Sequence, residues 1–148
     1  MSLSARIERD FLEAYKAKES ERVAVLRMLK AAIKNKQVEL KRSPDDDEIL
    51  ELVRKGVKQR QESAELFHQA GRTELAEQEE REQALLSAYL PPAIPPQELE
   101  NIIDTTIAEL DAQGQKDMGR VMQFIMDRYK GRVDGKDVSA RVRSRLSS

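Results

Sequence analysis

Residues 20–44 read SERVAVLRMLKAAIKNKQVELKRSP, and this stretch decides the class of fold. Leu26, Leu29, Ile33 and Leu40 recur at spacings of 3, 4 and 7, which lines their side chains along one face of an α-helix. The helix opens near Ser20 and stops at Ser43-Pro44, because proline disfavours a helical residue before it. Beside the apolar stripe runs a second line, Arg27, Lys30, Lys34 and Lys41, at the same spacings. The stretch therefore predicts an amphipathic helix with a row of cations flanking its core face.

The same period extends in both directions. Upstream, Leu3, Ile7, Phe11 and Tyr15 recur every four residues and predict a first helical face. Downstream, Asp45 is placed as an N-cap with Glu48 three residues on, a capping-box spacing. The helix that follows uses Ile49, Leu52, Val53, Val57, Ala64 and Phe67, and Gly71 suits the left-handed residue beyond its end. Thr73 is read as the cap of a fourth, highly charged helix ending in Leu85, Leu86, Tyr89 and Leu90. Pro91-Pro92-Ala93-Ile94-Pro95-Pro96 then interrupts the pattern, since four prolines in six residues favour an extended connection. Beyond it, Ile102, Ile103, Ile107 and Leu110 outline a fifth helix. Met118, Val121, Met122, Ile125 and Tyr129 outline a sixth. Val138, Val142 and Leu146 outline a seventh, capped by Asp134. The expectation is an all-α chain: a four-helix N-terminal domain over 1–90, a proline-rich linker over 91–96, and a three-helix tail bundle over 97–148.

Composition narrows the chemistry. The 148 residues include no Cys and one His, with 39% hydrophobic and 36% charged side chains. Without Cys there are no disulfides, no thiol nucleophile and no Cys-bound zinc. One His makes a His-based metal centre or a Ser–His pair a poor basis for function. Met1-Ser2-Leu3-Ser4 lacks an apolar signal region, and no apolar run is long enough to span a bilayer. A cytoplasmic protein is the expectation. The net charge of −1 hides a division: +6 over 16–42, −11 over 43–119 and +5 over 120–148. A polyanion responds to those local blocks rather than to the total.

Familiar motifs fail. Asp45-Asp46-Asp47-Glu48 has Leu50, not glycine, at the sixth position a calcium loop requires; acids at a helix start explain it better. Gly131-Arg132-Val133-Asp134-Gly135-Lys136 has no strand before it and no Ser or Thr after its Lys, so it is not a phosphate-binding P-loop. His68 reads as a surface histidine beside Phe67, and Met118, Met122 and Met126 as core filling. No catalytic residue, metal ligand or cofactor site is expected.

Two features remain. The line Arg27, Lys30, Lys34 is one: aligned like charges on a helix repel, and a polyanion relieves that repulsion and releases counterions. The plain alternative is a solvated face neutralised by acids such as Glu48 or Glu51 on the next helix. The other is the turn and helix from Arg128 to Arg145, where Lys130, Arg132 and Lys136 surround Gly131 and Gly135. Glycines allow close backbone approach, and a helix start offers N–H groups to a phosphate, although Asp134 competes for them. A turn with basic ends is the alternative there.

At these residues the sequence resembles the YqeY-like family. Val25-Leu26-Arg27-Met28-Leu29-Lys30-Ala31-Ala32-Ile33-Lys34-Asn35 is similar to its N-terminal signature, and Ala88-Tyr89-Leu90-Pro91 with Glu98-Leu99 to its linker and the start of its tail. Asp117-Met118-Gly119-Arg120-Val121-Met122 and Lys130-Gly131-Arg132-Val133-Asp134-Gly135-Lys136 are similar to its two tail signatures. Pro95-Pro96 departs from the Ser-Glu helix start more usual there. The resemblance implies an all-α fold whose tail is similar to the C-terminal domain of GatB, the B subunit of the glutamine-dependent tRNA amidotransferase. In that enzyme the tail helps hold tRNA while carbon–nitrogen ligation occurs in other domains. The resemblance supplies the reason to expect tRNA, and the two basic features supply the cations: the leading expectation is a cytosolic tRNA-binding accessory module with no chemistry of its own, contacting phosphates through Arg27, Lys30, Lys34, Lys130, Arg132 and Lys136 around Gly131 and Gly135. The alternative is a helical adaptor whose acidic middle engages a basic protein.

Overall fold

The computed structural model describes residues 1–147. Among them are seven α-helices and no strand: α1 (Leu3–Lys16), α2 (Ser20–Leu40), α3 (Asp46–Gln69), α4 (Thr73–Ser87), α5 (Pro96–Leu110), α6 (Met118–Arg128) and α7 (Gly135–Leu146). A single 3-10 turn, Gln115–Asp117, leads into α6. The chain divides into two compact units, residues 1–90 and residues 91 onward.

The first unit holds α1 to α4. Its core is built from Leu3 and Ile7 of α1, Val25, Leu26 and Leu29 of α2, Ile49, Val53 and Val57 of α3, and Leu86 and Tyr89. The face of α1 differs from the expected one: Leu3, Ile7, Asp10 and Ala14 are buried, whereas Tyr15 is 61% exposed. The reason is geometric. A step of four residues overshoots a 3.6-residue turn by about 40°, so three such steps carry Tyr15 about 120° from Leu3. The 4-3-4 spacing through Asp10 stays on the core side.

Asp45 forms a full capping box, accepting from the Glu48 N–H at 2.8 Å while Glu48 Oε1 accepts from the Asp45 N–H at 3.0 Å. Gly71, at φ +73°, supplies the left-handed turn between α3 and α4. Thr73 is the first residue of α4 rather than its cap; Arg72 occupies that position without a side-chain hydrogen bond. The two helices run antiparallel, with small residues where they approach: a Cβ at Gly56 would stand 3.0 Å from Leu86 Cδ1, and Ala64 and Ala76 are buried. Tyr89 and Leu90 lie just past α4, in a turn where their N–H groups donate to the carbonyls of Leu86 and Ser87.

The second unit packs Ile94, Leu99, Ile103, Val121, Ile125, Val138, Val142 and Leu146 together. Pro96 is the first residue of α5, where the missing N–H is harmless and the fixed φ suits a helix start. The proline stretch also contributes to this core: Ile94 is buried, and its N–H donates to the Arg132 carbonyl at 3.0 Å. Asp134 caps α7 as expected, accepting from the Lys136 N–H at 3.2 Å. Met118, Met122 and Met126 are half-buried around Val121 and Ile125, which carry the core.

Candidate nucleic-acid interface

Helix α2 brings Arg27, Lys30 and Lys34 onto one face. Arg27 and Lys34 are exposed, and neither has an ion pair among the described residues. Lys30 is half-buried. Its Nζ lies 3.0 Å from Glu8 Oε1 on α1 and 4.1 Å from the centre of the Phe11 ring, while the Arg27 guanidinium sits 5.8 Å from the same ring. The Phe11 ring thus lies within cation–π range of two cations. Lys41, in line by spacing, falls beyond the end of α2 at φ +59° and is not part of the helical row.

The acids expected to neutralise this row do other work. Glu48 grips Arg42 with both oxygens, at 2.7 and 3.0 Å, and Glu51 pairs with Arg54 at 2.9 Å on its own helix. The Arg42 pair, then the backbone N–H of Asp45, pull the Glu48 carboxyl down to about 2. The neutralising partner of the row comes instead from α1, through Glu8.

In the second unit, the turn after α6 is closed by the Arg132 N–H donating to the Tyr129 carbonyl at 3.0 Å. Gly131 adopts φ +80°, the left-handed region that favours glycine. Gly135 does not share that conformation; it opens α7, and a Cβ there would make an ordinary 3.7 Å contact with Met126 Cε. Arg132 is half-buried and its Nε donates to the Pro92 carbonyl at 3.2 Å, so one edge of its guanidinium fastens the proline stretch. Lys130 and Lys136 are exposed at the two ends of the turn. Because the Lys136 N–H already donates to Asp134, an incoming anion would meet a capped helix start.

The arginines of α7 are less available than their number suggests. Glu100 of α5 accepts from Arg141 at 2.6 Å and from Arg145 at 2.7 Å, and Arg145 also reaches Asp104 at 3.2 Å. Arg145, then Arg141, hold the Glu100 carboxyl below the usual glutamate range. These pairs tie α5 to α7.

Sequence reasoning missed one buried polar contact. The Tyr89 hydroxyl donates to Asp10 Oδ2 at 2.6 Å, with both residues buried, and the Arg6 guanidinium lies 4.7 Å from the Tyr89 ring centre. Burial, then the Asp10 carboxylate, push the phenol well above its ordinary range. The signal available was the 4-3-4 stripe of α1, which includes Asp10.

Among the described residues, no three His, Cys, Asp or Glu side chains are grouped to hold a metal ion, and no helix is long and apolar enough to cross a membrane. What the geometry defines is an all-α protein of two helical units, each with its own apolar core and its own exposed cations. The chain belongs to the YqeY-like family, whose model matches residues 4–146. It is 27% identical over 140 residues to "Altered inheritance of mitochondria protein 41, mitochondrial" of Pyrenophora tritici-repentis, a match covering 93% of this chain and 77% of that protein. A protein of the same name from Eremothecium gossypii is 34% identical over 87 residues, covering 58% of this chain and 48% of that protein.

Proposed function

We propose that this chain is a tRNA-binding accessory protein that holds RNA by its phosphates and performs no chemistry of its own. The observation that carries the reading is the α2 face, where Arg27 and Lys34 stand exposed without an acidic partner among the described residues. Lys30 joins them by exchanging Glu8 for a phosphate, at small cost because both ends of that pair are partly exposed. In the tail, Lys130 and Lys136 are the leading contacts. Arg132 adds its terminal nitrogens while Nε stays on Pro92, and Gly131 sets the turn that presents them. Gly135, whose missing side chain faces Met126, shapes the turn from its inner side. Such contacts position RNA by shape and charge rather than by reading bases. In this reading the chain takes part in carbon–nitrogen ligation only in the company of an amidotransferase. Its place is the cytoplasm, and the relatives' mitochondrial names make that organelle the other compartment to examine by fractionation.

The test is tRNA binding across a salt series. With about three to five phosphates contacted, log affinity falls against log salt with a slope of roughly −2 to −4. Changing Arg27 and Lys34 together to Ala flattens the slope by roughly 1.4 to 1.8 and weakens all tRNAs alike. Folded protein with no tRNA affinity at low salt overturns the reading. It would leave in front the adaptor reading, which the acid-rich α4 and the exposed Leu66 and Leu75 favour.

A further inference from the structure

Beside the cationic row the first unit carries an aromatic and basic groove that shares only Arg27 with it. Tyr15, at the end of α1, is the most exposed aromatic side chain on the row facing α2, and its ring centre lies 6.2 Å from that of Phe11 with the planes tilted by 32°. Tyr15, Lys18, Ser20, Val23, Ala24 and Arg27 line an open groove of about 490 Å³, within the ~300–1,000 Å³ of small-ligand clefts. Two cations, the Ser20 hydroxyl and the Tyr15 phenol line the groove, and no acid does. Glu19, the nearest acid in sequence, is bound to Arg22 at 3.2 Å. Arg27 joins the groove to the cationic row, since its guanidinium also lies over Phe11.

We infer that this groove takes an unpaired nucleotide of the bound RNA, with the base stacked on Tyr15 and its flanking phosphates on Lys18 and Arg27. The inference rests on the RNA-binding reading above and deepens it. A tyrosine that remains 61% exposed beside two cations offers what a single-stranded segment needs: a sequence-tolerant stacking surface and charge along the backbone. A duplex keeps its base faces covered and could use only the charge. The apolar wall, Val23 and Ala24, is small enough to leave room for a base beside the tyrosine ring.

The experiment compares a short oligouridylate with a blunt RNA duplex of the same length, both labelled and at low salt. Tyr15→Ala is expected to weaken oligouridylate binding roughly 5- to 150-fold and to leave duplex binding within twofold. Tyr15→Phe should retain the affinity. The chain has three Tyr and no Trp, so oligouridylate should also quench tyrosine emission in the parent and not in Tyr15→Phe. Because Tyr15 is exposed, these variants should keep the parent's circular dichroism and melting temperature. Ala24→Glu, which places a carboxylate in the groove without touching the ring, gives an independent loss of oligouridylate binding. If Tyr15→Ala and Ala24→Glu both bind oligouridylate as the parent does, stacking is refuted while the phosphate contacts stand. If the parent binds neither RNA, both readings fall together. A protein retained from nuclease-treated extract by the parent but not by Tyr15→Ala, with no RNA affinity, would assign the groove to a protein and overturn the inference.

Discussion

Removing one oxygen from Tyr89 is expected to destabilise the first unit by about 2 kcal/mol, although Tyr89→Phe changes no apolar contact. The hydroxyl donates to Asp10 Oδ2 at 2.6 Å, within the short range of hydrogen bonds to charged oxygens. Such bonds contribute about 1.5–3 kcal/mol. Asp10 is only 8% exposed and Tyr89 7%, so water does not readily replace the lost donor. What remains near the carboxylate is Arg9 at 3.4 Å, on a side chain that is itself largely in solvent, and the charge of Arg22, neither of which replaces the short hydroxyl bond. For a unit of this size, about 2 kcal/mol corresponds to a fall in Tm of about 8–16 °C. The ring, its packing and the Arg6 contact at 4.7 Å are retained, which separates the hydroxyl from the rest of the side chain.

Urea unfolding of the full chain, followed by far-ultraviolet circular dichroism, would measure the effect in a double-mutant cycle with Asp10→Ala. Each single variant leaves one buried group without its partner, whereas the double variant leaves neither. The two changes together should therefore cost less than their sum by about 1.5–3 kcal/mol. A coupling below about 0.5 kcal/mol would refute the claim that this pair fastens α1 to the turn after α4. The same contact has an alkaline signature. The phenol is raised above its ordinary value of 10.0 in the folded chain, so this contribution is present below pH 10 and is lost as pH rises further. Tyr89 should ionise above the ordinary tyrosine range.

Glu48, held at about 2 against an ordinary 4.5, contributes stability that is present above pH 4.5 and is lost as pH falls through about 2. Glu48→Gln, which can keep the capping box, should show a flatter decline of the urea midpoint over that window; an identical profile would refute the role of the Arg42 pair. Gly131→Ala should destabilise the second unit by about 1–2 kcal/mol because of its left-handed backbone, while Gly135→Ala should be neutral or stabilising by up to about 1 kcal/mol. Thermal melts distinguish the two, and equal losses would sink the assignment. Ile125→Ala, at a fully buried position, should cost about 2–5 kcal/mol, and Met122→Ala, half-buried, clearly less. Limited proteolysis followed by mass spectrometry should yield a helical fragment ending near Leu90 if the two units are separable domains; an N-terminal fragment without helicity would mean that they fold as one.

Local chemistry made much of the fold legible. The Asp45–Glu48 box, the left-handed Gly71 and the Asp134 cap each depend on residues within four positions of one another, and each formed where its spacing indicated. The error at Tyr15 was also local, a period of 4.0 mistaken for 3.6. Thr73 failed as a cap because capping preference is a weak term, and one position's shift at a helix start costs little. The candidate site was less readable because its partners are distant in sequence. Lys30 meets Glu8 across 22 residues, Arg132 meets Pro92 across 40, and Tyr89 meets Asp10 across 79. Periodicity says which face a residue occupies but not which other helix supplies its partner. Hence the line of cations is legible in the sequence, whereas the acid that meets Lys30, on α1 rather than α3, is not.

The docking of Ile94 gives the proline stretch a thermodynamic meaning beyond its extended shape. Pro91 and Pro92 precede Ala93-Ile94, and Pro95 and Pro96 follow it, so the unfolded chain is already restricted on both sides of the residue that enters the core. Seating Ile94 and closing its bond to the Arg132 carbonyl therefore freezes fewer torsions than the same contacts would in a glycine-serine segment. The prolines act on stability through the disorder they withhold from the unfolded state. A tail transplanted into another protein from Gln97 onward would lose the Ile94 anchor and leave the Arg132 carbonyl without that donor, and one begun at Pro91 would carry its own stiff clasp with it.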